Sequence, residues 1–302
     1  NNNFLDRPVV NEYIEMLKSM LLKFDSNIKF KKHKYQLILT HDVDELYMWK
    51  NWKHVYRISA GDIIKRKSLS LALGRVSEYF LIKRKQIKDP FDTFDWLMDK
   101  SESIGTKSRF YFMSGGTSRK YDNRYNIVEP KAFEQIENII KRGHIIGFHP
   151  SYNAYNDFEQ FKEEKELLEK VSGLKLNEGR EHYLRFEVPN TWQIWEDNGM
   201  EVDSTCGYAD HEGFRCGTGN EFSVFNILTR KKLQLKESPL IFMDDNRISG
   251  ERILNENTIN LNIEVLLSKC EKYNSPSTLL FHPNIFSLPE INYKKIYEKT
   301  IN

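Results

Sequence analysis

Cysteine is scarce in this chain, and the three present do not pair up: Cys206, Cys216 and Cys270 form neither an even disulfide set nor the close spacing of a CxxC metal site. That argues against a disulfide-stapled secreted scaffold and for a reducing compartment. No apolar run approaches the length of a membrane span, and no signal peptide is visible. The chain opens on asparagines at 1–3 without a methionine, so a trimmed upstream segment is expected. An excess of one charge is also missing. Lys and Arg number 45 against 43 Asp and Glu, and a net charge of +2 makes no case for a nucleic-acid partner. The short basic stretches at 29–34, 83–88 and 230–232 read as solvated surface. Together these absences place the protein in the cytoplasm or at the cytoplasmic face of a membrane.

What the chain does have is enough apolar material for a large core: 302 residues, 39% hydrophobic and 13% aromatic. One large α/β domain, or such a domain with an appendage, fits those values. Apolar residues at near-helical spacing over 8–24 predict an amphipathic helix. Residues 1–34 are therefore read as a helical extension packed on a domain that occupies 35–302. In that domain, buried strands are predicted at 37–40, 109–113, 144–148 and 277–281, with a fifth, fourth in chain order, ending near 180–185. Helices are predicted over 60–88, 91–104, 130–142 and 158–171, with Asp89-Pro90 separating the first two. The aromatic stretch 47–52 is read as core. Strand, crossover helix and strand in repeated alternation give parallel βα units wound into a barrel or an open sheet.

Chemistry gathers where these strands end. Leu37 to Thr40 runs straight into His41, Asp42 and Asp44, at the carboxyl end where parallel α/β folds place their active groups. Alternation along an extended chain points residues 42 and 44 to the same side, and two such carboxylates need a cation or a proton between them. A second strand delivers His149-Pro150-Ser151-Tyr152-Asn153, a third segment carries Arg180 to Arg185, and the last ends in His282-Pro283. The loop 205–215 is too rich in glycine and ionisable groups to be plain connector.

Thr40-His41-Asp42-Val43-Asp44, Gly143-His144 through Gly147-Phe148-His149, Leu184-Arg185 and Leu280-Phe281-His282 resemble the successive motifs of the polysaccharide deacetylases, the NodB-homology carbohydrate esterases, over residues 36–283. The resemblance implies a distorted (β/α) barrel of about seven parallel strands with helices outside, and a divalent metal, zinc above others, held by one Asp and two His. It implies Asp42 as catalytic base, Asp44 and His149 as metal ligands, Arg185 as the arginine orienting the base, and His282 as general acid. The substrate implied is an N-acetylated sugar of a surface polysaccharide, a lipopolysaccharide or its precursor, with O-deacetylation second. Tyr152, His182 and Arg215 are expected to line it. The family's second metal histidine falls four residues after the first, and Asn153 stands there, so Asn153 is expected as a weaker third ligand. His41, His182 and His211 are alternatives, each more simply read as a hydrogen-bonded structural histidine. Two other functions stay open: a non-catalytic carbohydrate-binding protein that lost a metal ligand, and a metal-dependent hydrolase of a non-sugar amide.

Overall fold

The structure, a computed structural model, describes residues 4–302 except 32, 119, 123–124, 245–254 and 288–290. The asparagines at 1–3 and Lys32 of the 29–34 basic stretch thus lie outside the described residues. A helix α1 (Val9–Phe24) precedes β1 (Leu37–Val43), whose apolar run continues into a fully buried end. Eight further strands follow among the described residues: β2 (Arg109–Phe112), β3 (Ile145–Phe148), β4 (Glu178–Gly179), β5 (Val202–Asp203), β6 (Phe222–Asn226), β7 (Lys231–Glu237), β8 (Leu240–Met243) and β9 (Ser277–Leu280). They form one sheet in the order β6-β7-β5-β4-β3-β2-β1-β9-β8, parallel throughout except for the antiparallel β6–β7 pair. The sheet curls into a half-barrel with helices around it, a distorted (β/α) barrel. The expectation of about seven parallel strands omitted the β6–β7 hairpin, although Leu233 and Leu235 alternate with exposed charged and polar residues in β7 as a one-sided strand should.

The helices lie where local chemistry starts and stops them. Among them are α4 (Phe94–Ser103), α5 (Pro130–Lys141), α6 (Phe158–Ser172), α7 (Asn190–Asp197), α8 (Glu256–Lys272) and α9 (Tyr293–Ile301). In α5, Pro130 sits in the first turn, where its missing N–H costs nothing, and Gly143 adopts φ 73° just past the end. In α6, Asp157 caps the first turn by accepting from the Gln160 N–H at 3.0 Å. The predicted 60–88 helix is instead a hairpin of α2 (Trp52–Ile64) and α3 (Leu69–Lys83), broken at Lys67 (φ 52°), with Ser68 capping α3.

The core is aromatic and aliphatic, and it is built from the strands that carry the chemistry. Phe110 and Phe112 of β2, Leu39 and Val43 of β1, Phe148 of β3 and Phe281 after β9 are fully buried, together with Phe94 of α4 and Trp195 of α7. Each such side chain contributes roughly 1.5–3 kcal/mol by leaving water, so the strand ends are held on a rigid floor. The 47–52 aromatics divide: Trp49 is buried, whereas Trp52 is 47% exposed. Helix α1 is tied to the domain by Val10 N–H to the Gly217 carbonyl and Phe214 N–H to the Leu5 carbonyl, while Tyr13, Met16, Leu17, Met20 and Phe24 remain exposed. Among the described residues no helix is long and apolar enough to cross a membrane.

Candidate functional site

Ladder hydrogen bonds carry on past the formal strand ends and fix the residues that follow. His149 N–H donates to the Phe112 carbonyl (2.9 Å), Arg180 N–H to that of Phe148 (3.0 Å) and Asp244 N–H to that of Leu280 (3.2 Å). Gly179, just before Arg180, has to be glycine, since a Cβ there would overlap the Phe148 carbonyl. Five strands, β4 and β3 on one side of β2 and β1, β9 and β8 on the other, thereby bring Asp42 and Asp44, His149, Arg180 and His182, Asp244, and His282 to one rim.

At the centre, Asp44, His149 and His182 each offer one ligand atom, all within 4.8 Å of one another. His149 Nε2 lies 3.4 Å and His182 Nε2 3.7 Å from Asp44 Oδ1. His149 Nδ1 is 2.6 Å from the Arg180 carbonyl, which can only accept; Nδ1 therefore carries the proton and Nε2 presents a lone pair. Asp44 Oδ1 and both ring nitrogens of His182 are buried without a hydrogen bond. The nearest partner of His182 Nδ1 is Asp122 Oδ1 at 3.4 Å, long for a hydrogen bond. Orphaned buried donors and acceptors of this kind are costly unless something else fills the space. Two imidazoles and a carboxylate separated by about the 3.4 Å edge of a tetrahedral zinc sphere fit a divalent cation on that test. Electrostatics point the same way. Burial alone would raise the Asp44 carboxyl, but His182, His149 and His282 outweigh it and hold Asp44 well below the usual carboxylate range.

Two ion pairs flank the cluster. Arg180, fully buried, donates from Nη1 to Asp42 Oδ1 at 2.8 Å and to Thr40 Oγ1 at 3.0 Å, and from Nε to the Ser204 carbonyl at 2.8 Å. Asp42 Oδ2 is left facing His149 Nε2 at 3.9 Å. On the other side His282 Nδ1 donates to Asp244 Oδ1 at 2.7 Å, and the His282 N–H to Asp244 Oδ2, also at 2.7 Å. Burial opposes the charge on this imidazole, yet Asp244, Asp44 and Asp42 raise it to about 10. Its Nε2 lies 4.0 Å from Asp44 Oδ2. A cavity of about 480 Å³ is lined by Tyr47, Ser114, Tyr125 and Glu129 among others, and by none of the residues of this cluster.

No protein-family model matches the sequence, and comparison with curated proteins yields no match. Solved structures do match. A structure named as a polysaccharide deacetylase from Mycobacterium smegmatis aligns with TM-score 0.55 at 14% identity, covering 91% of this chain and 85% of that one. One named likewise from Pseudomonas aeruginosa PAO1 gives 0.54 at 12% identity, covering 89% and 84%. Puue allantoinase gives 0.51 at 14% identity, covering 93% and 89%. The chain has the polysaccharide deacetylase fold.

On this deacetylase fold the expected residues separate into two groups. Asp42, Asp44, His149 and His282 converge. Asn153 does not join them. Its exposed amide donates to Thr117 Oγ1 at 3.1 Å and accepts from Arg185 Nη1 at 3.2 Å, and the donor beside Asp44 and His149 is His182. Arg185 does not reach Asp42; it donates to the Tyr152 carbonyl at 2.6 Å and stacks over Tyr152 and Tyr155 at 4.0 and 4.1 Å. The reason is backbone: Tyr183 and Leu184 take φ 59° and 50°, a kink that carries the chain away after His182 and leaves Arg180 as the buried arginine. Arg215 binds its own loop through the Gly207 carbonyl at 2.8 Å. Tyr152 stacks on Tyr121 at 3.9 Å, and its N–H is held by Asp122. His41 is a core histidine, its Nδ1 bonded to the Phe281 carbonyl at 2.7 Å and its basicity lowered to about 4 by burial. His211 is largely exposed beside Asp210. Sequence reasoning passed over Asp122 and Asp244. Asp244 was detectable, since Leu240–Met243 followed by Asp repeats the pattern of apolar run then carboxylate seen at Asp42; Asp122, in a loop, had no such signal.

Proposed function

We propose that this protein is a metal-dependent deacetylase that removes an acetyl group, from nitrogen before oxygen, from a sugar of a surface polysaccharide, a lipopolysaccharide or its precursor. The observation that carries this reading is the Asp44–His149–His182 cluster set between the Asp42–Arg180 pair and the His282–Asp244 pair. Asp44, His149 and His182 would hold a divalent metal, with zinc best suited to the two imidazoles. Bound there, the metal would supply Lewis acidity toward the acetyl carbonyl and a more acidic water.

The chain's own residues divide the proton work. Arg180 occupies one oxygen of Asp42 and fixes the carboxylate, so the other oxygen is placed to take a proton from the attacking water as base. His282, oriented by Asp244 and charged at neutral pH, directs its Nε2–H toward Asp44 and is placed to protonate the departing amine. Water adds to the carbonyl carbon and the carbon–nitrogen bond breaks. Acetate and the free amine leave, and the proton taken by Asp42 balances the one given by His282. Tyr121, Tyr152 and Tyr183 lie together beside His182 and would offer ring faces to a sugar.

Acetate release from N-acetylglucosamine oligomers, with and without chelator, tests the reading. Release that is lost on chelation and regained with zinc supports it; no release from any acetylated sugar, with a metal-loaded sample, rejects it. A second reading, hydrolysis of a non-sugar amide, draws on the likeness to an allantoinase, and ureide or cyclic amide substrates in the same assay distinguish it. The non-catalytic reading drew on a missing third donor, a place that His182 would take in this proposal.

A further inference from the structure

The α2–α3 hairpin takes no part in this chemistry. It leaves the sheet after β1, returns through Asp89-Pro90 to α4, and packs chiefly on itself, burying Val55, Ser59, Asp62 and Ala72 along the seam. Its tip is apolar and bare. Ile63, Ile64, Leu69, Leu71 and Leu73 are 48%, 74%, 63%, 48% and 60% exposed, five aliphatic side chains on one turn and its two flanking helix ends. Singly exposed aliphatics are ordinary, but a concentrated set marks an interaction surface.

The same segment is strongly basic. Between Lys50 and Lys88 there are eleven Lys and Arg against two acids, Asp62 and Glu78, in a chain whose overall charge is only +2. Neither acid offsets the surface. Asp62 is buried and taken up by Arg66 and Arg75, and Glu78 accepts from Trp49 Nε1 at 2.9 Å. Lys65 and Lys67, between the exposed isoleucines and leucines, have no ion-pair partner among the described residues.

Aliphatic side chains interleaved with cations match one kind of surface well. We propose that the α2–α3 hairpin docks on an anionic lipid bilayer, with the aliphatics of 63–73 entering the acyl boundary and Lys65 and Lys67 meeting headgroup phosphates. The helices lie on or dip into the interface without spanning it, since α2 and α3 are each only about 20 Å long. A second copy of this chain is a poorer occupant, because two tips brought together would set like charges against each other. The chain passes from Asp44 at the cleft into α2 at Trp52, so the hairpin springs from the same rim that carries the cleft. A lipid-linked sugar as substrate would follow from that, and only this last step rests on the proposed deacetylase activity.

Vesicle flotation of the full chain tests the docking without any substrate, so its failure and that of the deacetylase reading are separate results. The probes are vesicles of phosphatidylcholine alone and vesicles with roughly one-third phosphatidylglycerol, at low salt and at about 0.5 M salt, where the Debye length falls below about 5 Å. The expected result is binding to the anionic vesicles, weakened by salt, with little binding to phosphatidylcholine. Ile64→Ser/Leu69→Ser and Lys65→Glu/Lys67→Glu should each lower the partition coefficient at least about tenfold, with unchanged circular dichroism, since all four side chains are exposed. No binding to anionic vesicles, or wild-type binding by both variants, overturns the proposal. So does a wild-type dimer that Ile64→Ser/Leu69→Ser converts to monomer.

Discussion

In His182→Ala the cluster of Asp44, His149 and His182 loses its second imidazole, and Asp122 loses the ring it faces. A complete protein zinc site is worth roughly 10–16 kcal/mol, so one donor among four accounts for about 3 kcal/mol, or about 10²-fold in affinity. Asn153→Ala removes only exposed contacts with Thr117 and Arg185, and should change stability by no more than about 0.5 kcal/mol and metal affinity not at all. The assay is a competition titration of zinc against a chromophoric chelator, paired with thermal unfolding at increasing zinc. Ligand binding stabilises by about 2.7 kcal/mol at a hundredfold excess over Kd, so zinc should raise the Tm of wild type and Asn153→Ala but not of His182→Ala at the same concentration. Equal loss of affinity in the two variants, or wild-type affinity in His182→Ala, would refute the assignment of the third donor.

Arg180→Met should cost about 3–5 kcal/mol in urea unfolding, because Asp42 stays buried and uncompensated; a loss under about 1 kcal/mol would show that the pair is not held as described. Asp42→Asn should abolish acetate release while zinc affinity stays within a few-fold of wild type, and equal loss of metal and activity would show that Asp42 is a ligand and not the base. Asp244→Asn should lower kcat about 10²–10⁴-fold, by loosening and discharging His282, with metal binding intact; an unchanged kcat would return His282 to a structural role. Away from the site, burial pushes Asp203 up to about 6 and Glu237, further raised by Asp203, well above its usual range. Groups raised in this way confer stability in acid that is lost as pH rises through about 6 and beyond. Asp203→Asn should therefore gain on wild type in urea midpoint as pH rises from about 4 to 6, and a difference that stays constant over that range would count against the raised Asp203.

How much of this was legible in the chain depends on the distance over which each feature is decided. The apolar run Leu37 to Thr40 ending in Asp42 and Asp44, the strand before His149 and the strand before His282 are local patterns, because side-chain direction in a strand follows from alternation alone. The sequence by itself therefore determined a parallel α/β architecture and that the ends of β1, β3 and β9 carry ionisable groups. It did not separate His182 from Asn153, or Arg180 from Arg185. Arg180, His182 and Arg185 crowd one short segment, and which of them faces the cleft, where Asn153 does not, is set by a strand only two residues long and by the left-handed turn at Tyr183 and Leu184. The split of 60–88 into a hairpin likewise follows from a single left-handed residue, Lys67, in a segment with helical propensity on both sides. Only the tertiary structure decided that Arg180 lies within 2.8 Å of Asp42, 138 positions away, because that convergence depends on the curl of the sheet and the packing behind it.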